Sequence, residues 1–314
     1  MASLDILKKR AALLRQVRAF FYARDILEVD TPALSSTGNT DPNIESFTTS
    51  YIGPGKNKTL YLHTSPEFSM KRLLADNSGS IYQLCKVFRN GEFGRQHSPE
   101  FTMLEWYHLD YDHHQLMDEV ALLLDEVLEQ TMPIVKLTYQ QAFTDYAGID
   151  PLNINLVALK RCAEKHGLVD VIGMEDASTD DWCDLIMDQV VVPKLGQGRV
   201  FIYDYPASQA ALSKISEDDP RVAERFELFI DGVEIANGFH ELTNAKEQRQ
   251  RFENENIKRK RKGQSPLPID ENLLSALATG LPDCAGVAVG VDRLLMLIAG
   301  ADSISTVLSA SSVD

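Results

Sequence analysis

Three things are in short supply in this chain, and each shortage excludes something. Cysteine is sparse: Cys85, Cys162, Cys183 and Cys284 lie far apart with no C-x-x-C pair. That spacing argues against a zinc site or a disulfide framework and reads as reduced thiols of a cytoplasmic protein. Long apolar runs are missing as well. No stretch approaches the roughly 20 residues that cross a bilayer, and MASLDILKKRAALLRQVRAFF has its charges and apolar residues in the wrong order for a secretory leader. Basic charge is the third shortage: 31 Lys and Arg stand against 46 Asp and Glu, a net charge of -15. Proteins that grip long nucleic acids carry a basic surplus. This one repels phosphate on average and leaves only local basic patches to bind it. Repeats and low-complexity tracts are absent too. What remains is an ordinary globular composition over 314 residues, 44% hydrophobic and 25% charged, enough for a large core in one big domain or two.

Periodicity supplies the elements. Leu13, Leu14, Val17, Phe20 and Phe21 recur at helical spacing, and the run ILEVDTPAL after them is extended because Pro32 pushes Thr31 out of the helical region. A Ser, Thr, Asn, Gly and Pro loop spans residues 35–41. KTLYLHTSPEFSMKRLLAD reads as strand, turn at Ser65-Pro66, then helix. IYQLCKVFRN and PEFTMLEWYHLDY are β-rich runs flanking a polar loop, a long hairpin. HHQLMDEVALLLDEVLEQ is an amphipathic helix with Leu116, Val120, Leu123, Leu124 and Val127 on one side. Residues 131–199 are mixed and mostly helical. VFIYDYP is a strand, and RFELFIDGVEIANGF is a second hairpin turning at Asp231-Gly232. A charged helix and DENLLSALATG follow, and GVAVGVDRLLMLIAG is a glycine-punctuated strand entering an apolar helix. Hairpins mixed with separate helices predict an α+β fold, an antiparallel sheet flanked by helices.

The chemistry concentrates in KVFRNGEFGRQHSPEFTMLEWY, residues 86–107. Strand alternation puts Phe101, Met103, Glu105 and Tyr107 on one face and Thr102, Leu104 and Trp106 on the other. A carboxylate in that first row is costly inside an apolar core. Either a bound cation accompanies Glu105 there, or the face lies half open to water. Arg89, at the end of the preceding strand, offers a guanidinium fork to a phosphate or carboxylate, or makes a surface ion pair. Arg89, His97, Phe101 and Glu105 together look like a cradle for a nucleotide and an amino acid.

Here a resemblance enters. The same segment resembles motif 2 of the class II aminoacyl-tRNA synthetases, of the lysyl enzymes in particular. The first helix with ILEVDTP resembles motif 1, whose strand builds a dimer interface, and GVAVGVDRLLML resembles motif 3. TSPEFSMKRLL and VEIANGFHEL are similar to lysyl-enzyme segments as well, so the likeness runs from about residue 5 to the end. It implies ATP as co-substrate, Mg²⁺, and a homodimer. It implies that Arg89 meets the α-phosphate and the amino-acid carboxylate, that Phe101 stacks on adenine, and that Arg293 reaches the γ-phosphate, Arg89 and Arg293 being the catalytic pair. His97 and Ser98 would fold over ATP, with Asn90, Gly91, Glu92, Ile235 and Gly290 around it, and Glu227 and Glu234 would share Mg²⁺ with the phosphates. Glu105, Tyr107 and Glu241 would grip the ammonium of a lysine side chain and Glu67 its other amino group, with Ser65, Pro66, Asn237 and Ala288 completing the amino-acid pocket.

Two departures from the pattern stand out. Arg-x-Glu becomes Arg89-Asn90-Gly91-Glu92, so either Glu92 or backbone near Gly91 serves adenine, and Ser98 replaces the usual Asn. A third concerns Ala288, where the lysyl enzymes typically have Gly; its methyl would crowd an α-amino group and favour a β-amino acid. The chain starts about where the catalytic domain of those enzymes starts, so the expectation is a single catalytic domain, residues 1–314, without their N-terminal anticodon-binding domain. With the negative charge, that makes tRNA a poor substrate. The nearest group in this reading is the stand-alone lysyl-enzyme paralogs that attach (R)-β-lysine to a lysine of elongation factor P. The alternatives are a truncated synthetase charging tRNA, a free-standing amide ligase, and a non-catalytic amino-acid sensor. Lys258 to Lys262, KRKRK, is either a solvated helix face or a dock for an acidic partner.

Overall fold

In the computed structural model, which describes residues 2–54, 57–128 and 132–309, the apolar periodicities become elements close to where they were expected. Leu13, Val17, Phe20 and Phe21 form the buried stripe of α1 (Leu4–Tyr22), capped by Ser3, whose side chain accepts from the Ile6 N–H. Short strands β1 (Leu27–Glu28) and β2 (Leu34–Ser35) follow, then β3 (Thr48–Tyr51), β4 (Lys58–Leu62) and helix α2 (Glu67–Ala75). The first hairpin is β5 (Ile81–Phe88) with β6 (Glu100–Leu109), and α3 (His113–Leu128) packs after it. The last two residues of that helical reading lie outside the described residues. The span read as mixed resolves into β7 (Ile134–Thr138), α4 (Tyr139–Ala147), α5 (Leu156–Lys165) and α6 (Thr179–Ile186), running into a π turn at Met187–Val191. Next come β8 (Arg199–Pro206), β9 (Val222–Ile230) and β10 (Val233–His240). Asp231 (φ 50°) and Gly232 (φ 77°) both sit in the left-handed region, the turn that matches hairpin twist. Helices α7 (Ala245–Arg261) and α8 (Glu271–Gly280), strand β11 (Cys284–Gly290) and helix α9 (Val291–Ala299) complete the order.

Eight strands form one sheet in the order β1-β5-β6-β11-β10-β9-β8-β7, and β2, β4 and β3 form a small second sheet. The six central strands are antiparallel, as expected, whereas β1 and β7 at the edges run parallel to β5 and β8. Long crossovers through α2 and through α4–α6 make those parallel pairings possible. One face of the sheet is covered continuously by α1, α3 and α9, around Phe21, Leu104, Trp106, Leu123, Phe226, Val287 and Leu295. The other face carries two separate apolar clusters. At one end α2, α7 and α8 pack around Met70, Tyr107, Phe252 and Leu274; at the other α4, α5 and α6 pack around Phe143, Ile186, Ile202 and Phe229. The gap between them is where the functional side chains lie.

The basic run is only partly a solvated face. Arg259 is buried and holds the loop before β3, donating to Asp41 O and to Glu45 Oε2 at 2.8 Å. Lys258 and Lys262 reach Asp180 and Asp181 on α6. The four cysteines are free. Among the described residues no helix is long and apolar enough to cross a membrane.

Candidate active site

Backbone register lines up the key side chains. Reading across the sheet, Gln83 on β5 pairs with Glu105 on β6, Glu105 with Ala288 on β11, Ala288 with Asn237 on β10, and Asn237 with Glu227 on β9. Paired residues of an antiparallel ladder share a face, so one line of side chains crosses the floor of the gap. From Glu105 to Glu227 it spans three strand spacings, about 14 Å. Above it lies a cavity of about 390 Å³, lined among others by Ser65, Glu67, Arg89, Phe101, Glu105, Asn237, Glu241, Ala288 and Arg293. That size suits a small-molecule site.

The acidic end is dry. Glu105 is 3% exposed; its Oε1 accepts from the Tyr107 hydroxyl and its Oε2 from Ser65 Oγ, each at 2.7 Å. Of the two readings left open for Glu105, the half-exposed face is therefore excluded. Ser65 also accepts from the Glu67 N–H at 2.9 Å, fixing the first turn of α2 to the strand. Burial first, and the charge of Glu67 second, push the Glu105 carboxyl up to about 7. Glu241, 1% exposed at the end of β10, is driven up to about 8 by burial, against the pull of Lys71 and with Glu67 adding repulsion. Apart from an ion pair to Lys71, neither Glu241 oxygen has a hydrogen-bonding partner among the described residues. Gly286 keeps the floor clear: a Cβ there would stand 2.3 Å from Tyr107 and 2.6 Å from Glu241 Oε1.

The opposite end is cationic and more open. Arg89 donates from Nε to Thr64 O at 3.3 Å, pairs with Glu92 at 3.6 Å, and stands 5.2 Å over the Phe101 ring. Glu92 lines the cavity, whereas Asn90 is tied by its backbone to Glu45 O and Gly91 lies in the open at φ 84°. Arg293, in the first turn of α9, donates to Gln96 O and Glu234 O and lies 2.7 Å from His97 Nε2. Burial and the Arg293 charge hold the His97 imidazolium down, so the ring is neutral and its Nε2 accepts that bond. Beneath Arg293, Asp292 is buried, accepts from the Thr102 N–H at 2.6 Å and pairs with Arg10 of α1, which locks helix to strand.

Glu227 and Glu234 are the only metal candidates the sequence offered, and the described residues contain no cluster of three or more His, Cys, Asp and Glu able to hold a metal. Burial raises the Glu227 carboxyl, Arg225 beside it lowers it, and the facing charge of Glu234 raises it further. Two hard carboxylates repelling each other at the cavity edge fit a divalent cation whose remaining ligands are water and phosphate. Glu234 lines the cavity; Glu227, held by Arg225, lies just off it, as does the buried Pro66 ahead of α2.

Sequence reasoning missed several charged residues of the site, Asp41 and Glu255 in its wall among them, and two bear most on its chemistry. Lys71 is 1% exposed between Glu67 and Glu241; its only signal was a lysine on the apolar side of α2, four residues after Glu67. Arg225 lines the cavity, donates to Gln209 O and Asn237, and stacks over Tyr205; nothing in the pattern of β9 marked it.

A hairpin-built sheet with a nucleotide-sized cavity, an arginine at the end of β5 and another opening α9, is the plan expected of a class II synthetase. The chain matches the profile of the tRNA synthetases class II (D, K and N) over residues 2–310, and it belongs to that family. It is 52% identical over 309 residues to the elongation factor P–(R)-β-lysine ligase of Vibrio atlanticus, covering 98% of this chain and 95% of that one. The ligase of the same name from Vibrio cholerae is equally similar, and that from Salmonella paratyphi B is 50% identical over 311 residues.

Proposed function

We propose that the chain is an ATP-dependent ligase that activates (R)-β-lysine as an adenylate and transfers it to a lysine side chain of elongation factor P. The observation that carries this is the shared cavity: an acid cluster suited to two ammonium groups at one end, Arg89, Phe101 and Arg293 at the other. In the first step the substrate carboxylate attacks the α-phosphorus of ATP and pyrophosphate leaves. Arg89 and Arg293 offset the negative charge that gathers there, and the rigid floor holds the reactants in line. Phe101 supplies a stacking face for the purine. Magnesium, held by Glu227 and Glu234 with the phosphates, would screen the phosphate oxygens. In the second step the neutral amine of the acceptor lysine attacks the activated carbonyl, the C–N bond forms as the acyl–phosphate C–O bond breaks, and AMP and a proton are released.

Two features support a protein acceptor over tRNA. The relatives carry that activity in their name, and the net charge of -15 opposes a polyanion. A homodimer through α1 and β1 follows from the motif 1 resemblance, and Leu4, Tyr22 and Leu27 there are exposed apolar residues. The cytoplasm is the compartment this reading requires. The test is ATP–pyrophosphate exchange with (R)-β-lysine, followed by transfer of labelled β-lysine to elongation factor P and to tRNA side by side. Exchange without transfer to the protein defeats the acceptor assignment, and no exchange with any lysine isomer defeats the whole reading.

A further inference from the structure

We infer that Lys71 is a positioning residue that also sets substrate charge: a resident ammonium that bridges Glu67 and Glu241, aims both into the cavity, and leaves the acid cluster short of two positive charges. This rests on the lysine-activating reading above and deepens it.

The geometry is specific. Lys71 Nζ lies 2.5 Å from Glu67 Oε1 and 2.5 Å from Glu241 Oε2, joining the first turn of α2 to the end of β10. A buried ammonium is tolerated only where such partners compensate it. Burial alone would lower its proton affinity, yet the charges of Glu241 and Glu67 hold it well above the ordinary lysine value. Lys71 engages two acids, and both line the cavity. Glu241 is left with Oε1 over Gly286 and unpartnered, while Glu105 stands close enough to feel Lys71 and Glu67.

Charge matching follows. Three carboxylates against one ammonium leave two negative charges when all are ionised, the complement of an amino acid with two ammonium groups whose carboxylate is met by Arg89. With Lys71 neutralised, burial and mutual repulsion act on three acids with no resident cation. They then hold their protons to higher pH than in the wild type, and the site loses part of its grip on a diamine.

The experiment measures kcat/KM for (R)-β-lysine in ATP–pyrophosphate exchange against pH, for the wild type, Lys71→Met and Lys71→Arg. ATP-dependent melting shifts show which variants are folded. Lys71→Met is expected to lose on the order of 100-fold in kcat/KM at neutral pH, with KM for β-lysine carrying most of it. Its acid limb should move up by about one pH unit or more. Lys71→Arg, which keeps the charge, keeps the acid limb of the wild type even if its rate falls. Should the Met variant not fold, Lys71→Gln replaces it in the same comparison. An acid limb that stays in place in the neutral variant, whatever the rate, overturns the inference and assigns Lys71 to packing. A wild type that exchanges with no lysine isomer overturns the functional reading and this inference with it.

Discussion

At the acidic end of the cavity, Glu105 stands on β6, Glu241 just past the end of β10, Glu67 and Lys71 on one helix, and Glu105, Glu241 and Lys71 are all but sealed from water. At the other end, Arg89 and Glu234 come from strand ends and His97 from a loop, and part of each meets solvent. Charges in a dry site interact strongly and punish any mismatch. Charges shared with water are weaker but adapt to a ligand that carries its own cations. Under the proposed function this contrast is a division of labour: the closed end would choose the amino acid, and the open end would accommodate the triphosphate.

Substitutions at the two ends should therefore fail in different ways. Arg89→Ala is expected to lower kcat for exchange by on the order of 100- to 1000-fold, because in the proposed reaction its charge would offset that of the transition state; a drop confined to KM for ATP contradicts that role. Glu241→Gln should lower kcat/KM for β-lysine by about 100-fold while leaving KM for ATP nearly unchanged, and equal damage to both substrates erases the distinction between the ends. The acid cluster also sets a pH dependence. Burial pushes the Glu105 and Glu241 carboxyls up, to about 7 and about 8, and each grips ammonium only when ionised. KM for β-lysine should therefore rise as pH falls through that window, by about ten-fold per unit below it for each group. Stability runs the other way. Both folded values lie above the unfolded ones, so these two groups hold extra protons in the fold, and their contribution falls as pH rises from about 4.5 toward 8. The melting shift given by β-lysine should accordingly grow with pH; a constant shift argues that the acids are ionised throughout. Phe101→Leu is expected to raise KM for ATP by about ten-fold through lost stacking, without touching β-lysine. The smallest effect belongs to Ala288→Gly. Its methyl lies in the row between Glu105 and Asn237, and its loss should raise α-lysine activation relative to β-lysine by about ten-fold; an unchanged ratio returns Ala288 to ordinary packing.

Much of the floor was legible beforehand. Alternation along β6 put Phe101, Met103, Glu105 and Tyr107 on one face, and all four line the cavity. Asp231-Gly232 announced its hairpin through the left-handed backbone both residues adopt. Lys71 was not legible, because a lysine in an amphipathic helix reads as surface until the partner approaching from residue 241 is known. Arg259 misled for the mirror reason. In a run of five basic residues it looked solvated, yet it is buried against a loop more than 200 residues away in sequence. The parallel edge strands were hidden as well, since a two-residue strand such as β1 has almost no pattern of its own.

By itself the sequence determined what is periodic and local: the helices and hairpins, the side each strand residue takes, and the motifs that mark the family. Only the tertiary structure decided which acids share a volume with Lys71 and how little water reaches them. Alternation is written into neighbouring residues, whereas burial and the field it creates arise when segments far apart in the sequence close over the same space.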